Sequence, residues 1–213
     1  MTTVGIVDYG TSNLLSVTRA FEHVGATVEP VSNAEQATKA DRLVLPGVGA
    51  FGNCQSGLKG RDLWDSVDEF MRSGKPFLGI CVGMQMMLDG SEEFGHYDGF
   101  GLIPGRVGAI PLSGTDGRPH KIPHIGWNRL SSPESGDNWK GTILDGVEPG
   151  ASVYFVHSFT AQPQDDGHRL ANTDYDGCRI SAAIRRDNAY GCQFHCEKSG
   201  PVGLKIIENF LKL

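Results

Sequence analysis

Pro76-Phe77-Leu78-Gly79-Ile80-Cys81-Val82-Gly83-Met84-Gln85 runs from an apolar, strand-like stretch into a helical pattern through Gly-x-Cys-x-Gly. The same layout defines the Gly-x-Ser-x-Gly elbow, where a strained turn between strand and helix lifts a nucleophile above a sheet. Glycine at 79 and 83 has a steric meaning here, because a side chain at either position would crowd the turn. Cys81 then lies at a helix N-terminus, where unpaired backbone N–H groups favour a thiolate, and the N–H of Val82 is placed to meet an oxyanion. A free cysteine at a strand end is also a small core hydrophobe, so this segment alone admits both readings.

Outward from the elbow, short β-branched runs alternate with helical spacing, the pattern of a parallel sheet covered on both faces. Val4 to Asp8 reads as the first strand and Thr27 to Val31 as the second, with Arg42 to Leu45 as a third that stops at Pro46. Leu14, Val17, Ala20, Phe21 and Val24 carry helical spacing, and Gly25 suits the turn beyond a helix C-terminus. A second helix crosses Leu63, Val67, Phe70 and Met71, and a third starts near Val82 and carries Met84, Met87 and Leu88. Residues 90–125 are rich in Gly and Pro and read as an antiparallel excursion at the sheet edge, with short strands near Leu102 to Ile110. Strands follow over Ser152 to Phe159, Arg179 to Ile184 and Tyr190 to Phe194, before a last helix from about Val202 to Leu211. The expected fold class is a three-layer αβα domain with a mainly parallel central sheet, spanning residues 1–213 as a single unit.

The partner for a nucleophile stands at Gln193-Phe194-His195-Cys196-Glu197, where apolar character ends at His195. A histidine leaving a strand with a carboxylate two residues on supplies a base and the group that fixes its tautomer. Cys54, Cys178 and Cys192 lack an elbow and read as packing residues. Cys196 sits between two candidate catalytic groups on a segment expected to be extended, which turns its side chain to the opposite face. The five cysteines form an odd set in a chain large enough to fold without staples, so free thiols are expected. Cys192, His195 and Cys196 lack the paired spacing of a structural zinc site, and no metal or cofactor is expected.

Gly47-Val48-Gly49-Ala50-Phe51-Gly52 formally fits the dinucleotide-binding pattern. That fingerprint should open the first unit and be followed about 20 residues on by an acidic strand end, whereas the next strand here ends at Cys81. A loop beside the nucleophile, with N–H groups available to an oxyanion, fits the context better. A formal net charge of -6, from 19 Lys plus Arg against 25 Asp plus Glu, gives no broad attraction to nucleic acid or anionic lipid. No signal-like segment opens the chain and no apolar run reaches about 18 residues, so a cytoplasmic protein is expected.

Taken together, Val7-Asp8-Tyr9-Gly10, Pro46 to Phe51, Gly79 to Gln85, Ser91-Glu92-Glu93, Pro123-His124-Ile125-Gly126-Trp127-Asn128, Tyr154-Phe155-Val156-His157-Ser158-Phe159 and Gln193 to Ser199 resemble the triad class of glutamine amidotransferases. Within that class the chain is most similar to the branch of glutaminase subunits that serve imidazole glycerol phosphate synthase. The resemblance implies that Cys81 attacks the glutamine amide, His195 shuttles protons and Glu197 orients His195. It implies that Gln85 and Glu93 hold substrate glutamine, that Ser158 and Phe159 border its head group, and that Val48 and Val82 supply oxyanion N–H groups. It also implies a heterodimer with a TIM-barrel cyclase subunit, approached by Asn13 and the stretch Pro123 to Asn128, that makes imidazole glycerol phosphate and aminoimidazole carboxamide ribotide in histidine biosynthesis. Three positions depart from the family pattern: Cys196 stands where proline is usual, Phe159 where tyrosine is common and Ile125 where methionine is common. The same chemistry would serve a partner that modifies a nucleotide-linked sugar. A non-catalytic regulatory protein on this fold and a thiol hydrolase are the competing classes.

Overall fold

The computed structural model of the protein describes residues 2–10, 13–133 and 139–213. Its first half alternates β1 (Thr3–Val7), α1 (Leu14–His23), β2 (Thr27–Val31), α2 (Ala34–Lys39), β3 (Leu43–Gly47), α3 (Phe51–Lys59), α4 (Trp64–Arg72), β4 (Phe77–Cys81) and the short α5 (Val82–Gln85). The second half holds β5 (Gly90–Ser91), β6 (Tyr97–Asp98), β7 (Gly105–Ala109), β8 (His124–Arg129), β9 (Ser152–His157), β10 (Phe159–Pro163), β11 (Arg169–Tyr175), β12 (Cys178–Arg186), β13 (Ala189–Cys192) and α6 (Gly200–Phe210).

The main sheet has seven strands in the order β11-β12-β13-β4-β3-β1-β2, so β4 lies at its centre. Strands β13, β4, β3, β1 and β2 run parallel, and β12 and β11 extend the sheet antiparallel at one edge. Parallel neighbours end at the same edge. The register Gly47↔Cys81 on one side of β4 and Cys192↔Ile80 on the other therefore sets the loops after β3 and β13 on either side of Cys81. This is the carboxyl edge at which open α/β sheets bind ligands. Phe77, Leu78 and Ile80 are almost wholly buried, each contributing roughly 1.5–3 kcal/mol by leaving water.

Local sequence explains the helices that flank this sheet. Val17, Ala20 and Phe21 are the buried stripe of α1, and Gly25 follows its end at φ +89°, a conformation that favours glycine. Asn33 caps α2 by accepting the Gln36 N–H at 3.0 Å, while the Gln36 side chain reaches back to the Ser32 N–H at 2.8 Å. Helix α4 buries Val67, Phe70 and Met71, as the spacing expects.

Several boundaries differ from the sequence reading. The third strand continues through Pro46 to Gly47. Pairing with β1 stops at Val44, so the missing proline N–H interrupts no ladder bond on that side, and the Pro46 carbonyl accepts the Tyr9 hydroxyl at 2.7 Å. The helix after Cys81 is a single turn, and Met87 and Leu88 lie beyond it. Carbonyls that would extend it are taken by the excursion: Met86 O by Phe100 N at 2.8 Å, Met87 O by Ile103 N at 2.9 Å and Leu88 O by Gly101 N at 3.0 Å. Ser152 to Phe159 is two strands rather than one. Strand β9 pairs with β8, whereas β10 pairs with β7 in a separate four-stranded sheet, and the chain changes partners at Ser158. The strand expected over Tyr190 to Phe194 ends at Cys192, and β11, α2, α3 and β8 have no counterpart in that reading. Among the described residues, no helix is long and apolar enough to cross a membrane.

Candidate active site

Cys81 closes β4 with φ 55° and ψ −110°, backbone angles that cost of order 1–3 kcal/mol in an L-residue and persist only under strong packing. Glycines supply that packing by removing side chains. A Cβ on Gly83 would stand 1.9 Å from the Leu45 carbonyl oxygen, and one on Gly79 would stand 2.6 Å from the Gly83 carbonyl. Strand β3, strand β4 and helix α5 thus touch backbone to backbone, and the turn expected from Gly-x-Cys-x-Gly is present. Val82 opens α5, so its N–H has no carbonyl of that helix to bind.

The carboxyl end of β13 supplies the next groups. Gln193 Nε2 donates to Cys81 Sγ at 3.7 Å, and His195 is anchored through its N–H to the Tyr154 carbonyl at 2.9 Å. The His195 ring lines the same cleft as Cys81, and its Nδ1 lies 2.7 Å from Glu197 Oε1, which leaves Nε2 to face the sulfur's side. Both side chains of the His195–Glu197 pair are almost fully buried. Burial pushes the imidazole toward neutrality, but the hydrogen bonds and negative charges of Cys81 and Glu197 outweigh it and raise the pKa from 6.5 to about 10. At neutral pH the ring is an imidazolium.

The segment 196–198 is a 3-10 turn, which corrects the extended conformation expected for Cys196. Extended backbone would separate residues 195 and 197 by about 6.6 Å, whereas the turn folds the Glu197 carboxylate back against the ring. Cys196 is buried, and contact with Cys192, followed by burial, pushes its thiol pKa well up. It remains a neutral packing group. Cys196→Ala is expected to retain at least about a third of the glutaminase rate, a loss within what a small buried cavity costs. A drop beyond about 100-fold with unchanged circular dichroism and melting temperature would make the thiol part of the chemistry.

The remaining sequence candidates meet in one cleft, lined by Val48, Cys81, Val82, Gln85, Glu93, Ser158, Phe159 and His195. Gln85 is buried, and its amide donates to the Phe159 carbonyl at 3.0 Å and to Gln193 Oε1 at 3.1 Å, leaving its own oxygen unengaged by these bonds. Glu93 accepts the Phe51 N–H at 2.8 Å, so the carboxylate caps α3 at the edge of the cleft. Only Val48 to Ala50 forms a loop in the glycine-rich segment, because Phe51 already begins α3. Gly49 holds φ +103° there, and the Val48 carbonyl accepts the Cys54 thiol at 3.7 Å. Two residues in the site, Gln193 and His157, carried no individual role in the sequence reading. Gln193 had a usable signal, standing two residues before His195, while the role of His157 depends on a strand pairing that local pattern did not reveal.

The chain matches the family described as glutamine amidotransferase class-I over residues 5–213. It is 56% identical over 213 residues, all of both chains, to imidazole glycerol phosphate synthase subunit HisH 1 of Legionella pneumophila (strain Lens). It is 42% identical to subunit HisH of Geobacillus thermodenitrificans (strain NG80-2), over 99% of this chain and 96% of that one. The chain is a class-I glutamine amidotransferase of the HisH family. The fold of PurLQS from Thermotoga maritima, at 20% identity, superposes with a TM-score of 0.72 over 99% of this chain and 98% of that chain. That likeness concerns fold alone.

Proposed function

We propose that residues 1–213 act as one amidotransferase domain in which Cys81, His195 and Glu197 hydrolyse glutamine and release its ammonia to a TIM-barrel cyclase partner in histidine biosynthesis. The observation that carries the catalytic part is the His195–Glu197 pair, 2.7 Å apart, with the His195 ring and Cys81 lining one cleft beside the central strand. The thiolate attacks the carboxamide carbon, and the oxyanion that forms meets the N–H of Val82 and, once the loop is aligned, that of Val48. Imidazolium His195 protonates the departing nitrogen, so ammonia leaves and a glutamyl thioester remains. His195, now neutral, takes a proton from water as it attacks the thioester; glutamate departs and the thiolate is restored. Glu197 holds the ring in one tautomer and stabilises its charge throughout.

Substrate recognition follows from the same cleft. Phe159 sits opposite Ala109 in the β7–β10 ladder, while the neighbouring Ser158 carbonyl accepts the Ile110 N–H at 2.9 Å. The N–H and carbonyl of Phe159 therefore both point away from β7, and its carbonyl reaches Gln85. The Phe159 N–H is then directed at the carboxylate of bound glutamine, with the Gln85 oxygen and Glu93 as acceptors for its ammonium.

Support for the partner comes from the HisH relatives and from β8, whose Ile125 and Trp127 are exposed large apolar side chains. Free ammonia is lost to protonation in bulk water, so a covered route to the acceptor is useful. Purified chain mixed with the cyclase subunit from the same genome is expected to co-elute, release glutamate and make imidazole glycerol phosphate from glutamine or from ammonium salt. Glutamate release without imidazole product from either source would overturn the pathway while sparing the glutaminase, and would favour a sugar-modifying acceptor.

A further inference from the structure

Strands β8 and β9 pair antiparallel with His124 directly opposite His157, so the two imidazoles stand on one face of the ladder. His124 Nδ1 lies 3.0 Å from His157 Nε2, and His157 Nδ1 lies 2.8 Å from the Phe159 carbonyl. Asn128 Nδ2 lies 3.4 Å from His124 Nε2 and donates to the Asp174 carbonyl at 2.7 Å. A carbonyl only accepts, so His157 Nδ1 carries hydrogen. Its Nε2 accepts from His124 Nδ1–H, and His124 Nε2 then accepts from Asn128. One pair of neutral tautomers satisfies every link. Burial holds both rings neutral at pH 7, lowering each pKa to about 4 against the raising effects of Asp176 on His124 and the Phe159 carbonyl on His157. His120, near His124, and His195, near His157, push in the same downward direction as burial. Phe155 and Tyr175 both stack on the His124 ring, at 4.8 and 4.1 Å between centroids.

We propose that His157, held by His124, is the positioning residue for the amino-acid head group of glutamine. The Phe159 carbonyl is clamped from two directions, by Gln85 Nε2 at 3.0 Å and by His157 Nδ1 at 2.8 Å. That clamp holds the peptide after Phe159, and the Ser158 carbonyl bonded to the Ile110 N–H holds the peptide before it, so the Phe159 N–H, the donor assigned above to the substrate carboxylate, is fixed from both sides. The inference deepens that assignment and rests on it. It also gives the His124-to-Asn128 strand, whose alternate residues Ile125 and Trp127 are exposed, a hydrogen-bonded connection to the substrate cleft. His157 touches no reacting atom, so its removal should weaken head-group binding and leave the thiol chemistry intact.

The experiment compares His157→Phe, which keeps a ring and deletes both hydrogen bonds, with His157→Asn, whose amide nitrogen occupies roughly the place of Nδ1. His157→Phe is expected to raise KM for glutamine about tenfold or more and to change kcat less than about threefold, with His157→Asn recovering most of the loss. Labelling of Cys81 supplies the second measurement. A chloroketone analogue of glutamine, which needs the head-group site, should react about tenfold more slowly with His157→Phe at low reagent concentration, while iodoacetamide, which has no head group, should react within twofold of the unmodified rate. Equal slowing of both reagents would overturn the proposal, because His157 would then act on the thiol or the fold. Unchanged KM and unchanged chloroketone labelling would overturn it as well. Failure of the unmodified protein to hydrolyse glutamine or to take the chloroketone at Cys81 would instead remove the glutaminase site on which the inference stands.

Discussion

Cys81→Ala is expected to lower glutamine-dependent turnover by at least about 10³-fold while leaving ammonia-dependent synthesis by the complex largely intact. The substitution deletes the atom that forms the thioester and leaves the cleft, the Val82 N–H and the oxyanion loop in place, so some residual hydrolysis is consistent with the argument. Alanine fits the site. The side chain is buried, yet its hydrogen-bond partners are a Gln193 amide at 3.7 Å and a weak Val156 carbonyl contact at 4.0 Å, neither of which holds the sheet together. The substitution also removes one of the two groups that raise the His195 pKa, so its imidazole should titrate lower than in the unmodified protein. Glutamate release and imidazole product would be followed in parallel with glutamine or with ammonium salt at a pH that supplies free ammonia. Loss of both activities despite intact assembly would contradict the relay, since it would tie Cys81 to the synthase step.

The parts of this site that could be read in the sequence are those whose geometry is local. Gly79-x-Cys81-x-Gly83 encodes its own turn, because three backbones must meet where no side chain fits, and His195-x-Glu197 lies within one turn of chain. Parallel strands were legible for a similar reason: β1, β3 and β4 are buried on both faces and therefore continuous in apolar character. What stayed hidden depends on distant partners. The start of α3 is capped by Glu93, 42 residues away in sequence, so Ala50-Phe51 carries no cap of its own. The break at Ser158 comes from strands β9 and β10 joining different sheets, an event that periodicity across Ser152 to Phe159 does not mark. Helix α2 is different, since Asn33-x-x-Gln36 is a capping signature written in the sequence, but the six residues that follow are too few to show an apolar stripe. The His124–His157 pair became visible only with the β8–β9 register.

Glu197→Gln is expected to reduce glutaminase kcat by roughly 10²–10⁴-fold, up to the roughly 10⁴-fold loss that follows when the buried acid of a serine triad is made neutral. Glutamine preserves shape and removes charge. Glu197 Oε1 is 2.7 Å from His195 Nδ1, whereas Oε2 is buried without a hydrogen-bond partner among the described residues. An amide can keep its oxygen on Nδ1, which strands its NH2 where Oε2 stood. It can also flip, which forces Nδ1 to accept and turns Nε2–H toward Cys81, the wrong tautomer for taking a proton. Either way the imidazolium loses a buried counter-charge, and its pKa should fall from about 10 toward 6.5. Because the folded-state value lies above the unfolded one, protonated His195 contributes stability that is fully present below pH 6.5 and is lost as pH rises through about 10. The charge-dependent part of the stability difference between the unmodified protein and Glu197→Gln should therefore be largest near or below pH 6.5 and shrink across that window. Denaturant unfolding at pH 6, 8 and 10, with an NMR titration of the His195 ring, measures both effects. A variant with kcat within fivefold of the unmodified protein, or with an unmoved imidazole titration, would show that Glu197 neither charges nor orients His195.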